Sequence, residues 1–205
     1  MILFELVRGN EDHPAYRALE VANGGRHYDF LQSVVETAVA VEKPFLWQTV
    51  IKAINYHAIA CLHPYAGEYR PCAVTVGDHD PPDHYRVDAL MDDFVNEVNR
   101  YWNDWDEVSL AAYVLWRLNW IHPFINGNGR TARAACYFAL CVKLGGWLPG
   151  TIILPELLRR SENRDRYVQA LRHADTTEWN GDMHNFLYPM TRLLFELLHE
   201  QQSSI

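Results

Sequence analysis

The chain has 205 residues, with 18 Lys and Arg against 26 Asp and Glu, giving a formal charge of −8 at pH 7. That length suits one full-sized domain with a buried core, and the aromatic content of 13% excludes a disordered chain. The acidic balance argues against a general nucleic-acid binder, which needs clustered Lys and Arg.

Residues 1–27 have mixed patterning and a turn signal at Asn23-Gly24-Gly25. From Tyr28 the pattern becomes helical, with Phe30, Leu31, Val34, Val35, Ala38, Val39 and Val41 ahead of a stop at Lys43-Pro44. The expected division is therefore an N-terminal extension over 1–27, packed on a core domain over 28–205. A second helix is expected from about Phe45 to Leu62, ended by His63-Pro64 and Ala66-Gly67. Next, Cys72-Ala73-Val74-Thr75-Val76 alternates between Pro71 and Gly77-Asp78 and reads as a strand. Its partner would be Asp83–Val87 beyond Pro81-Pro82, forming one hairpin on a helical body, since two strands alone are marginal. From Val87 to Trp102, Leu90, Met91, Phe94, Val95 and Val98 repeat at three and four, while Asp88, Asp92 and Asp93 fill a solvated face. Further helices are expected at about Ser109–Ile121 and Asn128–Leu144, the latter stopped by Gly145-Gly146. Shorter ones follow at Pro155–Arg160 and Asn163–Ala174. A final amphipathic helix carries Phe186, Met190, Leu193, Leu194 and Leu197. The fold class is thus all-α with a β-hairpin.

Cys61, Cys72, Cys136 and Cys141 lack C-x-x-C or zinc-ribbon spacing and are expected to be reduced core thiols of a cytoplasmic protein. The N-terminus has no basic region of a signal peptide. No apolar run approaches a membrane span, so no membrane partner is expected.

Chemistry concentrates in His122-Pro123-Phe124-Ile125-Asn126-Gly127-Asn128-Gly129-Arg130-Thr131-Ala132-Arg133, which lies between two helices. Pro123 closes the first, Gly127 and Gly129 permit tight or left-handed turns, and Asn128 is the expected N-cap of the second. A glycine-rich turn opening a helix leaves N–H groups for an anion. Arg130 and Arg133, three apart, can share one face and grip a polyphosphate. His122, placed just before the turn, is the natural general base near pH 7. GNGRT is neither a Walker loop nor a dinucleotide fingerprint. His79 and His84 read as an exposed turn, and His57 and His63 as capping or packing residues.

The segment resembles the Fic (filamentation induced by cAMP) signature H-P-F-x-[DE]-G-N-G-R-x-x-R, and matches eight of its nine specified positions. The departure is Asn126, where the family has an acid. Gly67-Glu68-Tyr69-Arg70 with the strand after it is similar to the family's flap, and Asn163–Tyr167 resembles its downstream nucleotide-pocket segment. The resemblance implies a Fic-type helical bundle with a β-hairpin flap. It also implies protein nucleotidyl transfer (AMPylation), usually AMP moved from ATP to a Ser, Thr or Tyr hydroxyl of a target protein.

On that resemblance His122 would be the base. Gly127, Asn128 and Gly129 would hold the α- and β-phosphates, Arg130 and Arg133 the β- and γ-phosphates, and Asn163 and Tyr167 the nucleotide. Cys72, Ala73, Val74, Thr75 and Val76 would pair with the target, and Phe124 would anchor the turn. Gly129, where Doc-type phosphotransferases carry Lys, favours transfer from the α-phosphate. The family acid holds Mg²⁺ (or Mn²⁺), and Asn126 would hold it more weakly. That departure leaves open a weakly active or inactive nucleotide-binding module. Transfer of another phosphate-linked group, such as UMP or phosphocholine, is also left open. No Ser or Thr begins the [ST]-x-x-x-E-[GN] segment of the family's inhibitory helix, so inhibition would come from a separate protein, work differently or be absent.

Overall fold

A computed structural model describes residues 2–43, 46–178 and 183–204. The elements in chain order are α1 (Leu3–Leu6), α2 (Pro14–Ala40), α3 (Gln48–Ile59), a 3₁₀ turn (His84–Arg86), α4 (Val87–Arg100), α5 (Glu107–Ile121), α6 (Asn128–Lys143), α7 (Leu154–Leu157), α8 (Ser161–Thr176) and α9 (Met183–Gln202). At the centre, α5 lies along α6. Of α5, Leu110–Leu115 and Leu118 are buried, and of α6, Ala134–Cys141. Helices apolar on nearly all sides belong in the middle of a bundle. Around this pair, α3 and α2 cover α6, while α9 and α4 cover α5.

Several expected elements form with shifted ends. Asp106 starts α5 two residues early by accepting from the N–H groups of Val108 and Ser109 at 3.0 and 2.9 Å. In α4 the expected apolar positions are buried and Asp88, Asp92 and Asp93 are exposed. The expected boundaries at Pro44 and Phe45 lie outside the described residues.

Two expectations are overturned. Asn23-Gly24-Gly25 is no turn: α2 runs 27 residues straight through it. Its start is fixed by Pro14 at the first position and by the His13 ring, which accepts from Ala15 N at 3.2 Å. Two interior glycines cost roughly 1 kcal/mol each. Anchoring offsets that cost, because Asn23 is fully buried and donates to the Ala60 carbonyl at 2.9 Å. The β-hairpin is absent among the described residues, where one isolated bridge, Val76 to His79, is all that forms. Pro81 and Pro82 offer no N–H to a returning strand, and the intended partner segment becomes the 3₁₀ turn and the start of α4. The flap over 71–83 is an extended loop.

All four cysteines are free; Cys136 and Cys141 are core thiols as expected, but Cys61 and Cys72 are exposed. No helix among the described residues is long and apolar enough to cross a membrane.

Candidate active site

The α5 helix ends at Ile121 because Pro123 follows, and His122 between them takes a left-handed conformation (φ 50°, ψ 58°) as the C-cap. This conformation is uncommon for a residue with a Cβ and is kept only where the surroundings enforce it. His122 N–H bonds Leu118 O at 3.1 Å, and its carbonyl accepts from Arg70 Nε at 2.8 Å. The imidazole is half-buried near the Asn119 backbone. Burial, with nearby His79 and Arg70 adding to it, holds its pKa down at about 4. At neutral pH the ring is therefore uncharged and has a nitrogen able to accept a proton.

The loop to α6 is closed from within. Asn128 is not the N-cap but the first helical residue, since its side chain turns back onto Phe124. There Oδ1 accepts from the Phe124 N–H at 2.9 Å and Nδ2 donates to the Phe124 carbonyl at 2.8 Å. Phe124 itself is fully buried beside Tyr69, with ring centroids 5.6 Å apart. The cap is Gly127 (φ 78°), where a Cβ would sit 2.8 Å from Ile59 Cγ2 and 3.0 Å from Asn55 Nδ2. No side chain caps α6, and its ladder begins with Thr131 N bonding Gly127 O at 2.9 Å. The N–H groups of residues 128–130 thus precede the ladder at the positive end of the helix dipole, an arrangement suited to phosphate.

The two arginines have different partners. Arg130 Nη1 lies 3.3 Å from Glu20 Oε1 and 3.2 Å from the Ala58 carbonyl, and Nη2 donates to Asn126 Oδ1 at 3.2 Å. Burial pushes the Arg130 pKa down and Glu20 opposes that shift. Arg133 crosses Gly129, whose Cβ would lie 3.1 Å from Arg133 Nη1, so a side chain at 129 would crowd the guanidinium. The buried Tyr167 hydroxyl, which feels the nearby Arg133 charge, accepts a bond from Asn119 Nδ2 at 2.9 Å. Asn119, bonded to Tyr167, lies near both His122 and Arg133.

Asn163 lies apart from this network: its amide donates to the Leu157 carbonyl at the end of α7, at 2.9 Å. Residues 72–76 form the first half of the flap, extended and mostly exposed. His79 closes an exposed turn as expected, its N–H bonding Val76 O at 2.9 Å, but its ring is half-buried and Nε2 bonds the Trp120 carbonyl at 2.9 Å. His57 and His63 pack as expected, against Phe30 and Phe4.

Asn55 was missed by sequence reasoning. It is fully buried, donates to Asn126 O at 3.0 Å and Thr131 Oγ1 at 3.2 Å, and accepts from Gly67 N at 3.0 Å. The available signal was a polar residue on the stripe of Ile51, Ile54 and Ala58. Glu20, Asn119 and His27 carried no comparable signal. His27, buried and bonded to the Ile54 carbonyl at 3.0 Å, has a pKa lowered to about 4 by burial. A separate cleft of about 610 Å³, lined by residues including Tyr28, Ile153, Glu156 and Arg159, contains none of the residues of the His122–Arg133 segment.

Residues 45–140 match the model of the Fic/DOC family. A "Protein adenylyltransferase Fic" of Nematostella vectensis is 30% identical over 144 residues, covering 65% of this chain and 29% of that protein. One of Drosophila persimilis is 34% identical over 122 residues, covering 59% and 22%. A Fic domain containing signaling protein from Bacteroides thetaiotaomicron superposes with a TM-score of 0.70 at 22% identity, over 88% of this chain and 69% of that one. Fic-1 from C. elegans gives 0.64 at 22% identity, over 86% and 49%.

Residues 45–140 thus resemble the Fic/DOC family, and the chain shares the fold of Fic-domain structures. It spans 22–29% of the length of these adenylyltransferase relatives. In this chain the donor set at position 126 does not fit the magnesium role that the signature implies. Asn126 offers one neutral oxygen, already accepting from Arg130, and the nearby carboxylate of Glu20 is paired with the same guanidinium. Mg²⁺ sites are ordinarily built on one or two carboxylates with substrate phosphates. Among the described residues no group of three His, Cys, Asp or Glu side chains is placed to hold a metal.

Proposed function

We propose that this chain is a protein adenylyltransferase, moving AMP from ATP to a hydroxyl side chain of a target protein with His122 as general base. The observation that carries this reading is the imidazole itself. It is held neutral by burial and belongs to the loop that opens the uncapped N-terminus of α6. The target oxygen attacks the α-phosphorus, its proton passes to the unprotonated ring nitrogen of His122, and the bond to the bridging β-phosphate oxygen breaks to release pyrophosphate. Backbone N–H groups of residues 128–130 meet the charge that develops on the phosphates. Arg133, beside Tyr167, holds the leaving group. Arg130 joins it by exchanging Glu20 for a phosphate oxygen. Binding a polyanion beside His122 raises its pKa above the free value and strengthens it as a base. The loop backbone at 73–75, which belongs to no strand, would take an extended target segment by strand addition and so orient the hydroxyl.

The test is transfer of label from ATP carrying it at the α-phosphate, compared with ATP labelled at the γ-phosphate, onto the protein itself or proteins of a lysate. Label from the α-position alone, lost in His122→Ala, is the expected result. Binding of ATP, GTP, CTP and UTP without transfer from any of them would sink this reading.

The bond between Asn126 and Arg130 favours a second reading, a nucleotide-binding module with little transfer of its own. Asn126→Glu then raises transfer sharply from near zero, whereas an already active wild type that gains nothing excludes it.

A further inference from the structure

We infer that Arg70 is a positioning residue that fastens the flap to the backbone of His122, so that the flap and the proposed base are displaced together. The functional consequence rests on the transfer reading; the linkage itself does not.

Arg70 is 3% exposed. A buried guanidinium is costly unless its N–H groups are bonded, and here carbonyl oxygens rather than a carboxylate meet it. Nε donates to His122 O at 2.8 Å, Nη1 to Cys72 O at 3.1 Å, and Nη2 to Pro82 O. The Arg70 backbone N–H adds a bond to Pro123 O at 2.9 Å. One planar fork thus holds the two ends of the flap and the carbonyl of the left-handed residue that carries the base. The flap has no strand pairing to hold its own shape beyond the bridge between Val76 and His79, so its course depends on these side-chain bonds. A second fastening lies two residues before His122, where His79 Nε2 bonds Trp120 O at 2.9 Å. Two further ties reach α8: His79 Nδ1 lies 4.0 Å from Asp175 Oδ2, and Asp78 Oδ2 accepts from Arg172 Nη2 at 2.7 Å between exposed side chains at the tip.

Both buried fastenings therefore end on the last turn of α5 and its cap. A polypeptide that docks on the flap and shifts it pulls on the His122 peptide, and through it on the ring. Lysine cannot replace this fork, because one ammonium does not span carbonyls set in three directions.

Hydrogen exchange and histidine NMR on the full chain test the linkage without requiring transfer. Wild type is compared with Arg70→Gln, Arg70→Lys and the tip variant Asp78→Asn, with the His122 resonance assigned from His122→Ala. Arg70→Gln is expected to speed exchange about tenfold or more in peptides covering both 71–83 and 120–128, and to move the His122 titration midpoint upward. Arg70→Lys falls between, and Asp78→Asn speeds exchange in the flap alone. In transfer assays Arg70→Lys lowers kcat by about tenfold or more with the nucleotide KM unchanged.

Faster exchange confined to 71–83, with the 120–128 peptides and the His122 midpoint at wild-type values, overturns the inference. If Arg70→Gln does not fold, Arg70→Lys provides the same two-segment comparison. A wild type that transfers nothing while both segments respond supports the linkage and removes only the transfer reading.

Discussion

The loop at 122–128 and the flap at 71–83 are both irregular, and they are held by opposite means. The loop is tied within itself, with Asn128 closing onto Phe124, Gly127 seated against Ile59 and Asn55, and Phe124 fully buried. The flap makes almost no bonds of its own and is fastened at its ends by Arg70 and near its tip by His79 and Asp78. Pre-organisation therefore belongs to the side proposed to bind phosphate. Adjustability belongs to the side that would meet a protein.

The strongest way to break this contrast is Asn128→Ala. It leaves both backbone polar groups of buried Phe124 without their partner and is expected to cost about 3 kcal/mol, read by urea or thermal unfolding. A cost below about 1 kcal/mol would mean the loop is not self-supporting.

Acid sharpens the comparison through His27, which packs beneath the loop side with a pKa of about 4. Its folded pKa lies below the unfolded value, so the unfolded chain takes up the proton first as pH falls. The stability is whole above about pH 6.5 and drains towards pH 4, where the loss reaches roughly 3 kcal/mol. His27→Asn, which keeps a donor for the Ile54 carbonyl, should unfold at higher temperature than wild type at pH 4 once both are referenced to pH 7.

A smaller effect is expected from Glu20→Gln. Removing the carboxylate that competes for Arg130 should tighten ATP binding about three- to tenfold, measured by calorimetry. Unchanged affinity would separate Arg130 from the phosphates. At the bottom of the scale, Asp78→Asn removes an exposed flap contact and should leave the unfolding temperature within scatter of wild type.

The same contrast explains what the sequence disclosed. Much of the loop that rests on near neighbours was legible: Pro123 stopping α5, Gly127 where the backbone turns left-handed, and a helix opening at residue 128. Even the misassigned N-cap at Asn128 identified a side chain that organises the turn. The flap misled because alternation at 72–76 specifies extended backbone but not a partner, and Pro81-Pro82 remove donors that the partner would need. Asn55, Glu20, Asn119 and His27 act across elements far apart in sequence, and only packing of α2 and α3 on α6 and the approach of α8 to α5 bring them into use. Gly24-Gly25 was read as a break because local propensity was weighed without knowing that Asn23 is anchored on Ala60.

That glycine pair gives α2 two different kinds of attachment along one rod. Before it, Tyr16 meets His63 at 2.7 Å, Glu20 meets Arg130 and Asn23 meets Ala60, all through polar groups. Beyond His27, Leu31, Val35 and Ala38 are fixed by apolar burial. Ionic strength weakens charge pairing and leaves apolar contacts intact or strengthened. A rise in salt therefore weakens the Glu20–Arg130 pair that screens the arginine pocket, while the neutral hydrogen bonds of Tyr16 and Asn23 and the apolar second half stay seated. The helix divides where its two glycines offer it no side-chain support.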